Sequence, residues 1–233
     1  MPECAAIASH AICDAQNGHR VMICIALGNL TYDECLHAVN TLDFAEIRLD
    51  MLALTHEQVA TVFAANSNLI ATCRPGKYDD DERQRLLLNA IASGAAYVDI
   101  EMDAADAFKQ AVIQAARARG TKIIISYHDF EKTPLREELE YVVRWCSEFN
   151  PDIIKIACMA HSPRDNARLL GLLDSDTPML VVGMGERGKI SRVVSPLLGS
   201  FCTFASYTSD KATAPGQLFK DDIQALIERM QQL

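Results

Sequence analysis

Three observations in the sequence predict an α/β fold, a single (β/α)8 barrel. Eight short apolar runs recur at fairly even spacing, about 25 residues per strand-and-helix unit. Most segments between them carry apolar residues at three- and four-residue intervals, the signature of helices that bury one face. The chain has 233 residues, close to the roughly 250 of one such barrel.

Taken in order, the first strand is Val21–Leu27, and residues 1–20 ahead of it read as an N-terminal extension to the 21–233 barrel. A helix follows at Thr31–Val39, with Thr31 placed to cap its start. The second and third strands are Phe44–Met51 and Leu69–Cys73, followed by a helix at Asp81–Ile91 that Gly94 can end. Strand four, Tyr97–Met102, leads to the helix Ala104–Ala118, with Gly120 just beyond it. Strand five, Lys122–Tyr127, precedes a helix at Leu135–Phe149, for which Thr133 is a cap and Pro134 suits the first turn. Asp152–Cys158, the helix Ser162–Leu172, Met179–Gly183 and Phe201–Ser206 complete the strands, and Asp222–Leu233 reads as the amphipathic helix that closes the ring. The runs are rich in Ile and Val and nearly uninterrupted, as strands buried on both faces of a parallel sheet must be. An open doubly wound sheet would show a glycine-rich dinucleotide turn after the first strand, and Leu27-Gly28-Asn29-Leu30 is not one.

Composition narrows the function classes. The net charge of −9 lacks the basic footprint that nucleic acid or an anionic membrane requires. A small anionic substrate remains compatible if a few Arg and Lys converge locally. The eight cysteines do not read as a disulfide framework: Cys24, Cys73, Cys158 and Cys202 sit inside apolar runs, and no CxxC pair suggests structural zinc. A reducing, cytoplasmic setting follows from that usage. The first twenty residues, with Glu3 and Asp14, do not read as a signal peptide, and no 18-residue apolar span is present.

Active-site groups of such barrels stand at the carboxyl ends of the strands, so charges that interrupt apolar strands are the informative residues. Strand six carries one Lys, Lys155, among aliphatic neighbours. Desolvation favours the neutral amine, the form that attacks a ketone or aldehyde; a salt bridge to Glu46 or Glu101 is the alternative reading. His128 ends strand five, beside Lys155 if the two strands run parallel in similar register, where it can act as acid or base near neutral pH. In strand two, alternation puts Glu46, Arg48 and Asp50 on one face. Arg74 after strand three and Glu101 in strand four add to the same rim. The glycine-rich stretch Gly183–Arg192 is a weak phosphate-loop candidate, and Arg192 could hold a carboxylate with a bidentate fork. The polar loop Ser206–Ala212, ahead of Thr213-Ala214-Pro215-Gly216-Gln217, is a candidate lid or an ordinary turn.

Five segments in order make the sequence resemble the type I 3-dehydroquinate dehydratases. They are Glu46-Ile47-Arg48-Leu49-Asp50, Ser126-Tyr127-His128, Ile154-Lys155-Ile156-Ala157, Gly188-Lys189-Ile190-Ser191-Arg192 and Ala214-Pro215-Gly216-Gln217. The resemblance runs from about residue 21 to the end of the sequence. It implies dehydration of 3-dehydroquinate to 3-dehydroshikimate on the route to chorismate and the aromatic amino acids. It implies a Schiff base on Lys155, proton transfer by His128, no metal or organic cofactor, and a homodimer. By the same resemblance Glu46, Arg48, Arg74, Arg192, Thr213 and Gln217 bind the carboxylate and hydroxyls of the substrate. Thr213 stands where the family usually has Ser, and Cys24 matches a site-lining Ser. Many members carry a Glu shortly after the residue matching Arg74, aimed at the catalytic His. Here Arg74-Pro75-Gly76-Lys77-Tyr78-Asp79-Asp80-Asp81-Glu82 is shortened, leaving Asp79 and Glu82 as candidates for that acid. Many also have an N-terminal hairpin under the barrel, which the short leading segment suggests is reduced or absent. The rival readings are a class I aldolase, which also uses a barrel Lys imine, a barrel that binds without catalysis, and, more weakly, a metal-dependent hydrolase, for which no His cluster is apparent.

Overall fold

Every apolar run becomes a strand. In the computed structural model, which describes Ala11–Cys13 and residues 20–232, the strands are β1 (Ala11–Cys13), β2 (Arg20–Leu27), β3 (Ala45–Arg48), β4 (Leu69–Thr72), β5 (Tyr97–Glu101), β6 (Lys122–Asp129), β7 (Ile153–Met159), β8 (Met179–Met184), β9 (Thr203–Ser206) and β10 (Leu218–Phe219). The helices are α1 (Tyr32–Thr41), α2 (His56–Ala65), α3 (Asp80–Ala92), α4 (Asp106–Arg119), α5 (Arg136–Ser147), α6 (Pro163–Leu170), α7 (Lys189–Val194) and α8 (Lys220–Gln231). Parallel ladders run in the order β9-β2-β3-β4-β5-β6-β7-β8, so β2 to β9 are the eight barrel strands. Ahead of them β1 pairs antiparallel with β2, Ala11 opposite Met22. The rest of the leading segment lies outside the described residues.

Strand alternation sorts the side chains into two layers. Ile23, Ile25, Leu27, Ala45, Ile47, Val98, Ile100, Ile125, Ile154 and Ile156 point outward and pack against the helices. Cys24, Phe44, Ile70, Ile124, Leu180, Cys202 and Phe204 fill the barrel interior. Toward the amino ends of the strands the interior is plugged by Phe44, Tyr97 and Phe201, whose ring centroids lie 5.4–6.1 Å apart. Removing side chains of this size from water is the main source of stability here, about 25 cal/mol per Å² of apolar surface buried.

Two helix starts differ from expectation. Thr31 does cap α1, in a reciprocal box with Glu34. Thr133 does not cap α5: its hydroxyl donates to the Met159 carbonyl at 2.7 Å, and the helix begins at Arg136. The helix α2 was not anticipated from the sequence, although Thr55 and Gln58 form a capping box at its start and Val59, Val62 and Phe63 form its buried face.

The ring closes in an unusual way. Among the described residues no ladder joins β8 to β9; the Phe201 N–H donates to the Met179 carbonyl at 2.8 Å near the lower end. Higher up, residues 215–219 fill the gap. Gly185 N–H donates to Pro215 O at 3.2 Å, and β10 pairs in parallel with β9, Leu218 opposite Ala205. Gly216, at φ +71°, lies so close to Gly185 that a Cβ there would meet the Gly185 carbonyl carbon at 2.7 Å, so only glycine fits. Residues 215–219 are therefore part of the barrel wall at its carboxyl end, and the polar loop offered above as a lid or a turn leads into them, with Lys211 Nζ donating to Asn29 O at 2.7 Å.

Candidate active site

The interior carries a belt of polar groups where an apolar core would be expected: Glu46 on β3, Thr72 on β4, Asp99 on β5, Ser126 on β6 and Lys155 on β7 are all buried. Each occupies an inward position of its strand; Glu46 and Lys155 line a cavity of about 300 Å³ that opens at the carboxyl ends, and Thr72, Asp99 and Ser126 are hydrogen-bonded behind them. Buried charge survives only when paired and hydrogen-bonded. The Lys155 ammonium donates to Asp99 Oδ2 at 2.9 Å, lies 3.5 Å from Glu46 Oε1 and sits 4.3 Å from the centre of the Phe204 ring. Glu46 accepts from the Thr72 hydroxyl at 2.9 Å.

Asp99 is the hub of this network, and the sequence reading passed over it. Besides Lys155 it accepts from Arg74 Nη2 at 2.6 Å and from the Ser126 hydroxyl at 2.5 Å, and Arg74 Nη1 donates to that same hydroxyl at 2.9 Å. Burial works to raise the Asp99 carboxyl, but Arg74 and then Lys155 outweigh it and hold it well below the usual carboxylate range. Arg74, opposed by burial, is in turn held above its ordinary value by Asp99 and Glu101. The period-two pattern that singled out Glu46, Arg48 and Asp50 also puts Tyr97, Asp99 and Glu101 on one face of β5, and was the signal available for Asp99.

His128 stands above the belt, its ring stacked at 11° on Phe130 with centroids 5.9 Å apart. Burial first, then Arg74 and Lys155, push its pKa well below the ordinary value, so the ring is neutral near pH 7. Its Nδ1 is buried without a hydrogen-bond partner, and Glu101 Oε1 lies 3.5 Å from it, outside hydrogen-bond geometry. Neither acid proposed from the sequence is there. Asp79 caps α3, accepting from the Glu82 N–H at 2.8 Å, and Glu82 pairs with His56 and Arg85 on the outside of the barrel. The helix start that follows the shortened loop takes both carboxylates away from the interior.

The upper wall holds the remaining candidates. Arg48 forks onto Asp50 at 3.0 and 2.6 Å and donates to Thr213 O at 3.1 Å. Gln217 Oε1 accepts from the Thr213 N–H at 2.7 Å and its hydroxyl at 3.1 Å. Arg192 is 1% exposed, yet it donates only to Pro215 O, at 3.0 Å, and its Nε has no partner. With no carboxylate beside it, burial pulls its pKa down to about 10. A guanidinium in that condition is a receptor for a planar anion. The stretch ahead of it turns its backbone into a short 3-10 turn and α7 rather than a phosphate loop, with Glu186 paired to Lys189 at the surface.

Glu46, Arg48, Arg74, His128, Lys155, Arg192, Thr213 and Gln217 all line one cavity. Cys24 does not. It faces the barrel interior fully buried and hydrogen-bonded to Cys202, and burial and that neighbour raise its thiol well above the ordinary value. It stands opposite Phe204 in the β2–β9 ladder and is not among the residues that line the cavity. The apolar walls, Val182, Met184, Phe130 and Phe204, were not singled out in the sequence because aliphatic and aromatic residues in a barrel strand look like core.

The chain is similar over most of its length to known proteins. The family model described as Type I 3-dehydroquinase matches residues 23–233. A 3-dehydroquinate dehydratase of Methanosarcina mazei is 35% identical over 206 residues, covering 81% of this chain and 85% of the relative. One from Methanococcus maripaludis is 38% identical over 194 residues, covering 80% and 86%. Among solved structures, the 3-dehydroquinate dehydratase of Geobacillus kaustophilus superposes with a TM-score of 0.81 at 24% identity, over 95% of this chain and 96% of that one. That of Aquifex aeolicus gives 0.76 at 29% identity, over 91% and 100%.

Proposed function

Since the chain belongs to the type I 3-dehydroquinase family, a family of shikimate-pathway lyases, we propose that it dehydrates 3-dehydroquinate to 3-dehydroshikimate through a Schiff base on Lys155. The observation that carries the reading is the pairing, within one cavity, of a buried amine on the floor with a buried guanidinium in the wall that lacks an anion. The amine takes the ketone and Arg192 takes the carboxylate, which fixes the ring between them.

In this reading the Lys155 Nζ attacks the C3 ketone, and loss of water gives an iminium. The iminium draws electrons from the adjacent C2–H bond. Neutral His128 removes that proton, leaving an enamine, and returns a proton to the C1 hydroxyl as it departs as water. Hydrolysis of the conjugated iminium consumes the water released at the start and frees Lys155, so the sum is loss of one water. Asp99 and Glu46 remain as counter-charges to nitrogen throughout. Arg48, Thr213 and Gln217 face the ring hydroxyls, and Arg74 organises Asp99 and Glu101 at the cavity wall. The homodimer and the cytoplasmic setting belong to the same reading. Among the described residues no helix is long and apolar enough to cross a membrane.

The test is reductive trapping. Incubation with 3-dehydroquinate and borohydride should place a stable adduct on Lys155, mapped by mass spectrometry. Lys155→Ala should abolish the adduct and turnover, and His128→Ala should keep the adduct while releasing product very slowly. No adduct together with no turnover would sink the proposal.

A further inference from the structure

Proton transfer by His128 requires one particular ring nitrogen to be bare. A neutral imidazole has one N–H and one lone pair, and the base must present its lone pair to the substrate. The opposite nitrogen must therefore carry the hydrogen and be held there. Nδ1 is buried, has no hydrogen-bond partner, and lies 3.5 Å from Glu101 Oε1.

Resting on the reading of His128 as the base, we propose that Glu101 is its positioning residue, setting the imidazole to the Nδ1–H tautomer so that the Nε2 lone pair is the one offered to substrate. A carboxylate facing a lone pair is repelled and one facing an N–H is attracted, so the side of the ring that Glu101 faces decides where the hydrogen sits. A shift of about half an ångström would close the contact to a hydrogen bond, within the loosening seen in ligand-free sites.

Glu101 is itself held from two sides. Arg74 Nη1 lies 3.4 Å from Oε1 and Arg83 Nη2 lies 3.8 Å from Oε2. Arg83 comes from α3, outside the strands, and is 4% exposed. Its Nε donates to Cys73 O at 3.1 Å, its Nη1 to Asp80 Oδ1 at 2.5 Å, and its guanidinium lies 5.0 Å from the centre of the Phe108 ring. One helical arginine thus fastens the end of the strand that leads to Arg74 and braces the acid beside His128. The other charges acting on the pair are Lys155, Asp99 and Arg48 on His128, and Asp99 and Asp103 on Glu101. Burial first, and then the cations, keep the ring neutral, which is what makes the tautomer matter.

The experiment measures the tautomer directly and apart from catalysis. Long-range proton–nitrogen NMR of ligand-free protein at pH 7.5, with His128 assigned by its loss in His128→Ala, should show Nδ1 protonated and Nε2 bare. Glu101→Ala should lose that preference. An Nε2–H tautomer in the unaltered protein, or the same Nδ1–H tautomer in Glu101→Ala, would overturn the proposal. The isosteric Glu101→Gln guards against a folding failure. It should lower kcat at least tenfold, with KM within threefold and the Lys155 adduct still trapped, and Glu101→Asp should recover part of the loss. A kcat within twofold of the original, or loss of the adduct in a folded variant, would also overturn it. If the unaltered protein formed no adduct and turned over no 3-dehydroquinate, the dehydration reading would fall, and the tautomer measurement would still decide what Glu101 does to His128.

Discussion

The Lys155 ammonium on β7 reaches across β6 to donate to Asp99 on β5 at 2.9 Å, and the same Asp99 oxygen accepts from Arg74 at 2.6 Å. Two cations share one buried carboxylate, so the three residues stand or fall together. Replacing a buried pair by apolar groups can be harmless, but removing one partner leaves charge without compensation.

Asp99→Asn should therefore destabilise the fold by about 3–5 kcal/mol, because it leaves Lys155 only the longer contact to Glu46 at 3.5 Å and Arg74 only that to Glu101 at 3.4 Å. Urea denaturation measures this, and a loss under 1 kcal/mol would contradict the account. With Asp99 depressed in the folded state, its contribution is present above the unfolded value of about 3.9 and lost as pH falls below it toward the folded value. The stability of the unaltered protein should drop steeply below about pH 4, and that of the Asn variant less so.

His128 should remain unprotonated well below the ordinary histidine pKa of about 6.5. Its Cε1 proton resonance should then stay fixed between pH 8 and 6, and a midpoint near 6.5 would refute the neutral ring. The folded pKa is depressed, so the stabilising contribution is present above about 6.5 and is lost as pH falls through the folded value. His128→Gln should flatten the decline in stability between pH 6.5 and 5. Glu101, raised by burial, contributes a slope of opposite sign to both proteins, which the comparison cancels.

Arg192→Met should separate binding from stability. A buried guanidinium with an unpartnered Nε costs stability, and a flexible apolar side chain of similar length removes that cost. The melting temperature should rise. Loss of charge-assisted hydrogen bonds to a carboxylate, about 1.5–3 kcal/mol, should raise KM roughly 10- to 150-fold. A variant with unchanged KM would remove Arg192 from the substrate site.

Cys24→Ser should leave kcat and KM within twofold, since the buried side chain faces Cys202 and does not line the cavity. The more polar hydroxyl in that fully buried position should cost about 1–3 kcal/mol of stability. A marked change in KM with little change in stability would restore Cys24 to the site.

The barrel was legible because its determinants are local: Ile- and Val-rich runs make strands, and three- and four-residue spacing makes the helices between them. Lys155 and His128 were legible as polar intrusions into such runs. Asp99 was not, because its neighbour Glu101 drew the attention and its hub role depends on Arg74 and Lys155 arriving from β4's end and β7. The partner of His128 was sought in the loop after Arg74, where only the fold shows that Asp79 is spent on capping α3. For Cys24, alternation says only inward or outward, and its pairing with Phe204 and hydrogen bond to Cys202 come from register and closure of the ring.

The segment from Pro215 to Phe219 fills the gap between β8 and β9, and of two residues proposed to hold the substrate Thr213 stands just before it and Gln217 within it. Recognition and architectural closure thus share a few residues, and a ligand that tightens one tightens the other. Occupancy of the cavity becomes a clamp on the last joint of the ring. The gain in folding free energy on binding, which depends only on ligand concentration relative to Kd, would then appear first as slower opening at β8 and β9 rather than evenly over the barrel.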